Sequence, residues 1–307
     1  MWISNPVADP FFWPFIRVVG SVLGVAVVVL LVLERRHLRE LHRRQLFRGL
    51  FTWLCIVPLY SVTILGGRVP VLLLTCLLVF QGLREYATLV GLPQAYRLVL
   101  IGMGVLAPAA ALHSPLAFYV LPAVLLVIAT LQPLLIQGVK GGVRHLAFAV
   151  FGWCYVAWLL GHIMLIYLYI EQGAGLLLAL GCSVALSDVA AFAIGKSFGK
   201  HKLTPRLSPN KTWEGVVGNF IGAYLGMGVM YFALRLDLPG YFTWVFPGVI
   251  AAGALWGDLL ESAIKREFAV KDAGQWLPGF GGLLDRFDSL VLALPLAFYT
   301  LSLTRLL

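Results

Sequence analysis

Asp285 and Asp288 stand three residues apart in "GGLLDRFDS". On a helix that spacing puts both carboxylates on one face. Two like charges so close repel unless a cation holds them. With no His or Cys beside them, the donors suit a hard ion such as Mg²⁺, which takes one or two carboxylates and fills its shell with water and phosphate oxygens. Asp258, in "ALWGDLLESAIKRE", is the third carboxylate expected at such a metal site, from a second helix. Glu261 and Lys265 follow it on the same face, where they also read as a structural ion pair. The plainer alternative for Asp285 is a helix cap, with Arg286 paired to a neighbour.

Two further stretches suggest phosphate. In "PGFGG", Gly281 and Gly282 precede the Asp285 helix, where glycine lets backbone N–H groups approach an anion. A flexible loop is the alternative. The segment "GKSFGKHKLTPRLSPNKTWEG" fails as a P-loop: only three residues separate its first two glycines, and His201 follows Lys200 where Ser or Thr is required. It does carry "SPNK". Ser208 is expected to be an N-cap with Pro209 at the first helical position, which would leave Lys211 near the helix's positive end. Oxygen-ligated metal, basic residues and a helix N-terminus together are what phosphoryl or nucleotidyl transfer requires. A cation-coupled transporter, with carboxylates inside its bundle, is the rival from another class.

The elements that must position these groups are membrane helices. Of 307 residues, 60% are hydrophobic and only 12% charged, and soluble domains are about half apolar and a quarter charged. Apolar runs near 11–33, 49–66, 69–83, 98–113, 116–137, 146–170, 174–195, 215–234, 241–261 and 289–304 predict an all-α polytopic integral membrane protein of about nine to ten spans. The runs at 69–83 and 98–113 are short enough to be half-spans. Residues 34–48, "ERRHLRELHRRQLFR", read as an amphipathic helix on an anionic leaflet or as a solvated basic loop.

If the spans alternate, one set of loops holds almost all of the 23 Lys and Arg; only Arg17, Arg68, Arg235 and Arg305 fall in the other set. The positive-inside rule then places the basic loops, and the candidate site, in the cytoplasm. The net charge of +9 is thus mainly topology, not nucleic-acid binding. Cys55, Cys76, Cys154 and Cys182 lie in apolar runs and fit neither a zinc site nor a disulfide framework. His113, His145 and His162 are isolated. Gly218, Gly222 and Gly226 form a stripe for close helix contact. Before residue 171 the only carboxylates are Asp9, Glu34, Glu40 and Glu85, so chemistry is expected in the second half.

"SAIKREFAVKDAGQWLPGFGGLLDRFDS" resembles the signature of the phosphatidate cytidylyltransferases, through Ser262, Lys265, Arg266, Lys271, Asp272, Gly274, Pro278, Gly281, Gly282, Asp285, Arg286 and Asp288. The preceding stretch is similar to that family's other motif at Asp188, Gly195, Gly199, Ser208, Pro209, Lys211, Thr212, Glu214 and Gly215. The likeness covers about 175 to 295. It departs at Phe280, where the family usually has His.

The resemblance implies transfer from CTP to phosphatidate, giving CDP-diacylglycerol and diphosphate in phospholipid synthesis. It maps the metal positions onto Asp258, Asp285 and Asp288. Lys211, Lys265 and Arg266 would bind phosphates, Arg286 would brace the carboxylates, and Ser208, Pro209, Thr212, Gly281 and Gly282 belong to the nucleotide-binding motifs. Mg²⁺ is the implied cofactor, with a second cation such as K⁺ as an option. CTP, phosphatidate and membrane lipid are the expected partners, a homodimer is left open, and the bacterial inner membrane is the expected location. Residues 1–170 are expected to anchor the protein and 171–307 to form the catalytic region. Phe280 leaves a second outcome, a paralogue with another lipid or nucleotide or with reduced activity.

Overall fold

A computed structural model describes residues 1–33, 45–132, 141–237, 240, 242–274 and 281–303. The helices are α1 (Phe12–Leu33), α2 (Gln45–Leu65), α3 (Arg68–Leu89), α4 (Gln94–His113), α5 (Pro115–Gln132), α6 (Gly142–Gly152), α7 (Leu159–Tyr169), α8 (Gly173–Phe198), α9 (Trp213–Leu234), α10 (Phe242–Glu267) and α11 (Leu284–Leu303). A π-helical turn, Trp153–Trp158, joins α6 to α7 in one continuous rod. Between α8 and α9 lies a small antiparallel hairpin, β1 (Lys202–Thr204) and β2 (Ser208–Thr212).

Among the described residues, each predicted apolar run falls mostly in helix. Among the described residues, 7 helices are long and apolar enough to cross a membrane, and shorter apolar helices cover Phe12–Gly24, Leu54–Leu65 and Pro115–Leu131. The expected half-spans are full-length: Arg68–Leu89 has 22 residues and Gln94–His113 has 20. Gln81, Arg84 and Glu85 interrupt the first run's hydropathy, but the helix continues because Gln81 and Glu85 bond each other within it. The segment 34–48 lies largely outside the described residues, and Phe280 wholly so.

The continuous rod Gly142–Tyr169 is the centre of the bundle. Of its apolar window, 72% is enclosed by other helices, and no other span exceeds 50%. Exposed Phe232, Trp244, Phe192 and Leu225 face outward, as an apolar solvent permits.

The second half is held by small residues. A Cβ on Gly218 would lie 2.6 Å from the Ala190 carbonyl oxygen, and one on Gly226 would lie 2.6 Å from Ser183 Cα, so α8 and α9 touch backbone to backbone. Asn219 Nδ2 donates to Ser187 Oγ at 2.5 Å across this seam. Gly253 does the same for α10 and α11: its Cβ would lie 2.8 Å from Ala293 Cα. These close approaches bring the ends of α9, α10 and α11 to one place.

Candidate active site

The last turns of α10 carry Asp258, Glu261, Ser262, Lys265 and Arg266, and the first turns of α11 carry Asp285 and Asp288. Lys265 joins the two helices. Its Nζ donates to Glu261 Oε2 at 2.7 Å and to Asp285 Oδ1 at 2.8 Å. Glu261 is fully buried, so the ammonium offsets a charge that would otherwise be costly there. From the hairpin, Lys211 Nζ reaches Asp258 Oδ2 at 2.5 Å. Ser262 Oγ donates to Asp258 Oδ1 at 3.4 Å.

Asp285 is a brace as well as a charge. Its Oδ2 accepts from the backbone N–H of Gly282 at 2.7 Å and of Ala273 at 2.9 Å. It therefore ties the start of α11 to the segment after α10. Gly281 makes the turn possible with φ +81, a backbone conformation that a side chain would strain.

Glu85, on α3, enters the same turn from the other half of the chain. Its Oε1 accepts from Leu283 N at 3.0 Å and from Gln81 Nε2 at 2.8 Å, and its Oε2 accepts from Leu284 N at 2.8 Å. The reading that put the chemistry in the second half missed it. A charged residue in an apolar run was the available signal.

The site is oxygen-rich and electronegative. Lys265 also draws the Glu261 and Asp285 carboxylates onto one ammonium. Carboxylates that meet need a shared proton or a cation between them. Glu261 Oε1 is buried without a partner among the described residues. Asp188 of α8 accepts from Ser289 Oγ of α11 at 3.3 Å. Asp188, Asp258, Glu261, Asp285 and Asp288 outnumber the lysines paired with them. This donor chemistry fits a hard divalent ion. Among the described residues no group of three or more His, Cys, Asp or Glu side chains is gathered closely enough to hold a metal ion. Tyr155 stands on the π-helical turn. Its hydroxyl is buried and has no hydrogen-bond partner among the described residues.

Several sequence-predicted roles change. Ser208 and Pro209 do not begin a helix. They lie in β2, where Thr204 pairs with Ser208 and Lys202 with Thr212. Each strand of a two-stranded hairpin is an edge, so Pro209's missing N–H is tolerated. The N-cap of α9 is Thr212, whose Oγ1 accepts from Gly215 N at 3.1 Å. The N–H groups near Gly281 and Gly282 are not open to an anion, because Asp285 and Glu85 take those of Gly282, Leu283 and Leu284. Lys265 is engaged by two carboxylates. Arg266 is a clasp: Nε donates to Leu207 O at 3.3 Å and an Nη to Val270 O at 3.2 Å. Arg286 is exposed on α11. Lys211 pairs with Asp258 and Lys265 with Asp285, while the backbone of Asp288 lies against Gly257 of α10.

The chain matches the family model of the cytidylyltransferase family over residues 47–304. It is 35% identical to the uncharacterised protein YnbB of Escherichia coli over 263 residues, 81% of this chain and 84% of that protein. It is 42% identical to a phosphatidate cytidylyltransferase of Staphylococcus saprophyticus over 132 residues, 42% of this chain and 51% of that enzyme. Against the phosphatidate cytidylyltransferase of Bacillus subtilis it is 40% identical over 117 residues, 38% of this chain and 44% of that enzyme. The matched region thus spans about half the length of these enzymes, and much more of YnbB. With 7 apolar helices of spanning length and a family match across most of its residues, the chain belongs to the cytidylyltransferase family, as an integral membrane nucleotidyltransferase.

Proposed function

We propose that this chain is a phosphatidate cytidylyltransferase, converting CTP and phosphatidate to CDP-diacylglycerol and diphosphate. The observation that supports the reading is the pairing of Lys211 with Asp258, and of Lys265 with Glu261 and Asp285, from a hairpin and two helix ends. A phosphate oxygen of the lipid forms a bond to the α-phosphorus of CTP. The bond from that phosphorus to the oxygen bridging to the β-phosphate breaks, and diphosphate leaves with that electron pair. The attacking phosphate is already anionic, so no protein nucleophile is required.

Asp258 and Asp288 would hold the metal ion, Asp258 by exchanging Lys211, and Asp285 would join them by exchanging its bonds to Ala273 and Gly282. Mg²⁺ held there would supply positive charge to offset the negative charge that develops on the phosphates; the surplus of carboxylates also suits a second cation such as K⁺. Lys211 is shared between Asp258 and an incoming phosphate. Lys265 keeps Glu261 and Asp285 in place. Residues 171–307 form the catalytic region on this reading, and residues 1–170 anchor it. The distribution of basic residues supports a site facing the cytoplasm, in a bacterial inner membrane.

A second reading keeps the family and changes the acceptor lipid or the nucleotide. It is favoured by Phe280, and by a longer match to YnbB than to the phosphatidate cytidylyltransferases. Purified protein incubated with CTP, Mg²⁺ and either phosphatidate or other phospholipids separates the two. The first reading predicts CDP-diacylglycerol with phosphatidate only. Product with a different acceptor and none with phosphatidate would establish the second.

A further inference from the structure

Glu85 is the only carboxylate between Glu40 and Glu171 in the sequence, and it sits within a spanning helix. It is buried, with 6% of its surface accessible. A carboxylate inside a membrane bundle is costly unless its lone pairs are filled. Here Gln81, Leu283 and Leu284 fill them. The latter two donors stand just before α11 and at its first residue, where the helix's partial positive charge favours an acidic group.

The surroundings are shaped for this contact. A Cβ on Gly274 would lie 2.8 Å from Glu85 Cδ, and one on Gly282 would strike Glu85 Oε2. Both glycines, one at each end of the 275–281 segment, are therefore needed for the backbone to close around the carboxylate. One turn earlier on α3, a Cβ on Gly82 would lie 2.9 Å from Phe287 Cζ, so the ring of a residue between Asp285 and Asp288 seats where Gly82 leaves room. Glu85 thus fixes the rotation and height of the α11 start without touching the groups assigned to chemistry.

We infer that Glu85 is a positioning residue of the transfer reaction, its carboxylate holding the first turn of α11 so that Asp285 and Asp288 stand ready for the divalent ion. This rests on the metal-dependent transfer proposed above, and it extends the site into the N-terminal half. Positions that orient a ligand are felt at the ligand even when they do not contact it.

The test compares full-length wild type with Glu85→Gln and Glu85→Leu in detergent micelles. Mn²⁺ alone serves as the probe, with bound and free ion counted by electron paramagnetic resonance, alongside thermal unfolding and the Mg²⁺ dependence of CTP transfer. Glu85→Leu removes both acceptor oxygens. It should weaken Mn²⁺ binding, and raise the Mg²⁺ needed for half-maximal rate, by about tenfold or more, or about 1.4 kcal/mol. Glu85→Gln keeps one acceptor oxygen but turns an N–H₂ toward a backbone donor, so a smaller shift in the same direction is expected. A purely structural loss would lower the folded fraction and leave the folded protein's metal affinity unchanged.

Folded variants with wild-type Mn²⁺ affinity and Mg²⁺ dependence would overturn the inference. If Glu85→Leu does not fold, Glu85→Gln decides alone. Wild type that binds Mn²⁺ but transfers nothing to phosphatidate would count against the reaction only, because the metal arm still reads Glu85. Wild type that binds no Mn²⁺ would overturn both.

Discussion

Lys211 and Asp258 meet at 2.5 Å, the lysine on a hairpin strand and the aspartate near the end of a spanning helix. Both side chains stay partly accessible, at 20% and 35%. The Lys211 Nζ itself is buried, so a phosphate reaches it only by displacing the more exposed Asp258. An ion pair this accessible adds little to stability. Lys211→Met and Asp258→Asn should therefore each leave thermal unfolding nearly unchanged while lowering turnover by about 10²-fold or more, or about 2.7 kcal/mol. Near-normal turnover in both variants would remove the pair from the site.

Lys265 makes the opposite prediction. Its partners Glu261 and Asp285 have side-chain exposures of 1% and 5%. Removing the ammonium leaves them buried and uncompensated, which costs about 3–5 kcal/mol. Lys265→Met should lower the thermal unfolding midpoint in detergent strongly, with activity lost alongside. A wild-type midpoint would show that Lys265 is not the tie between α10 and α11.

The α8–α9 seam offers a test away from the chemistry. Gly222 lies against the backbone of Leu186 and Ser187, with no room for a side chain. Gly222→Val should cost about 1–3 kcal/mol through overpacking. Lower yield and a lower unfolding midpoint would report it. An unchanged midpoint would mean that the helices do not touch along this stripe.

Topology can be checked by labelling. In a background lacking Cys55, Cys76, Cys154 and Cys182, a cysteine at Lys202 or Asp272 should react only with reagent on the cytoplasmic side, and one at Asp237 only from the opposite side. Opposite-side labelling of positions 202 and 272 would contradict a shared site.

Much of this architecture is readable from composition and spacing, because apolar runs and paired carboxylates are local signals. The α8–α9 stripe and the shared helix face of Asp285 and Asp288 follow from helix periodicity alone. The hairpin does not, since Ser208–Pro209 fits a helix start as well as an edge strand, and the pairing of Lys202 with Thr212 decides between them. Glu85 is harder still. Its partners lie 198 and 199 residues along the chain, and no local pattern carries a contact of that separation. The donors near Gly281 and Gly282 looked free for the same reason: what fills them comes from another helix.

The central claim is the reaction itself, and it is tested most directly by product formation. Purified wild type, Mg²⁺, CTP labelled in the cytosine and phosphatidate in mixed micelles are combined, and lipid-soluble label is measured against a control without phosphatidate. The account predicts label in CDP-diacylglycerol that depends on both phosphatidate and Mg²⁺ and is abolished by Asp288→Asn. Folded, monodisperse wild type that puts no label into lipid in the presence of phosphatidate would contradict it.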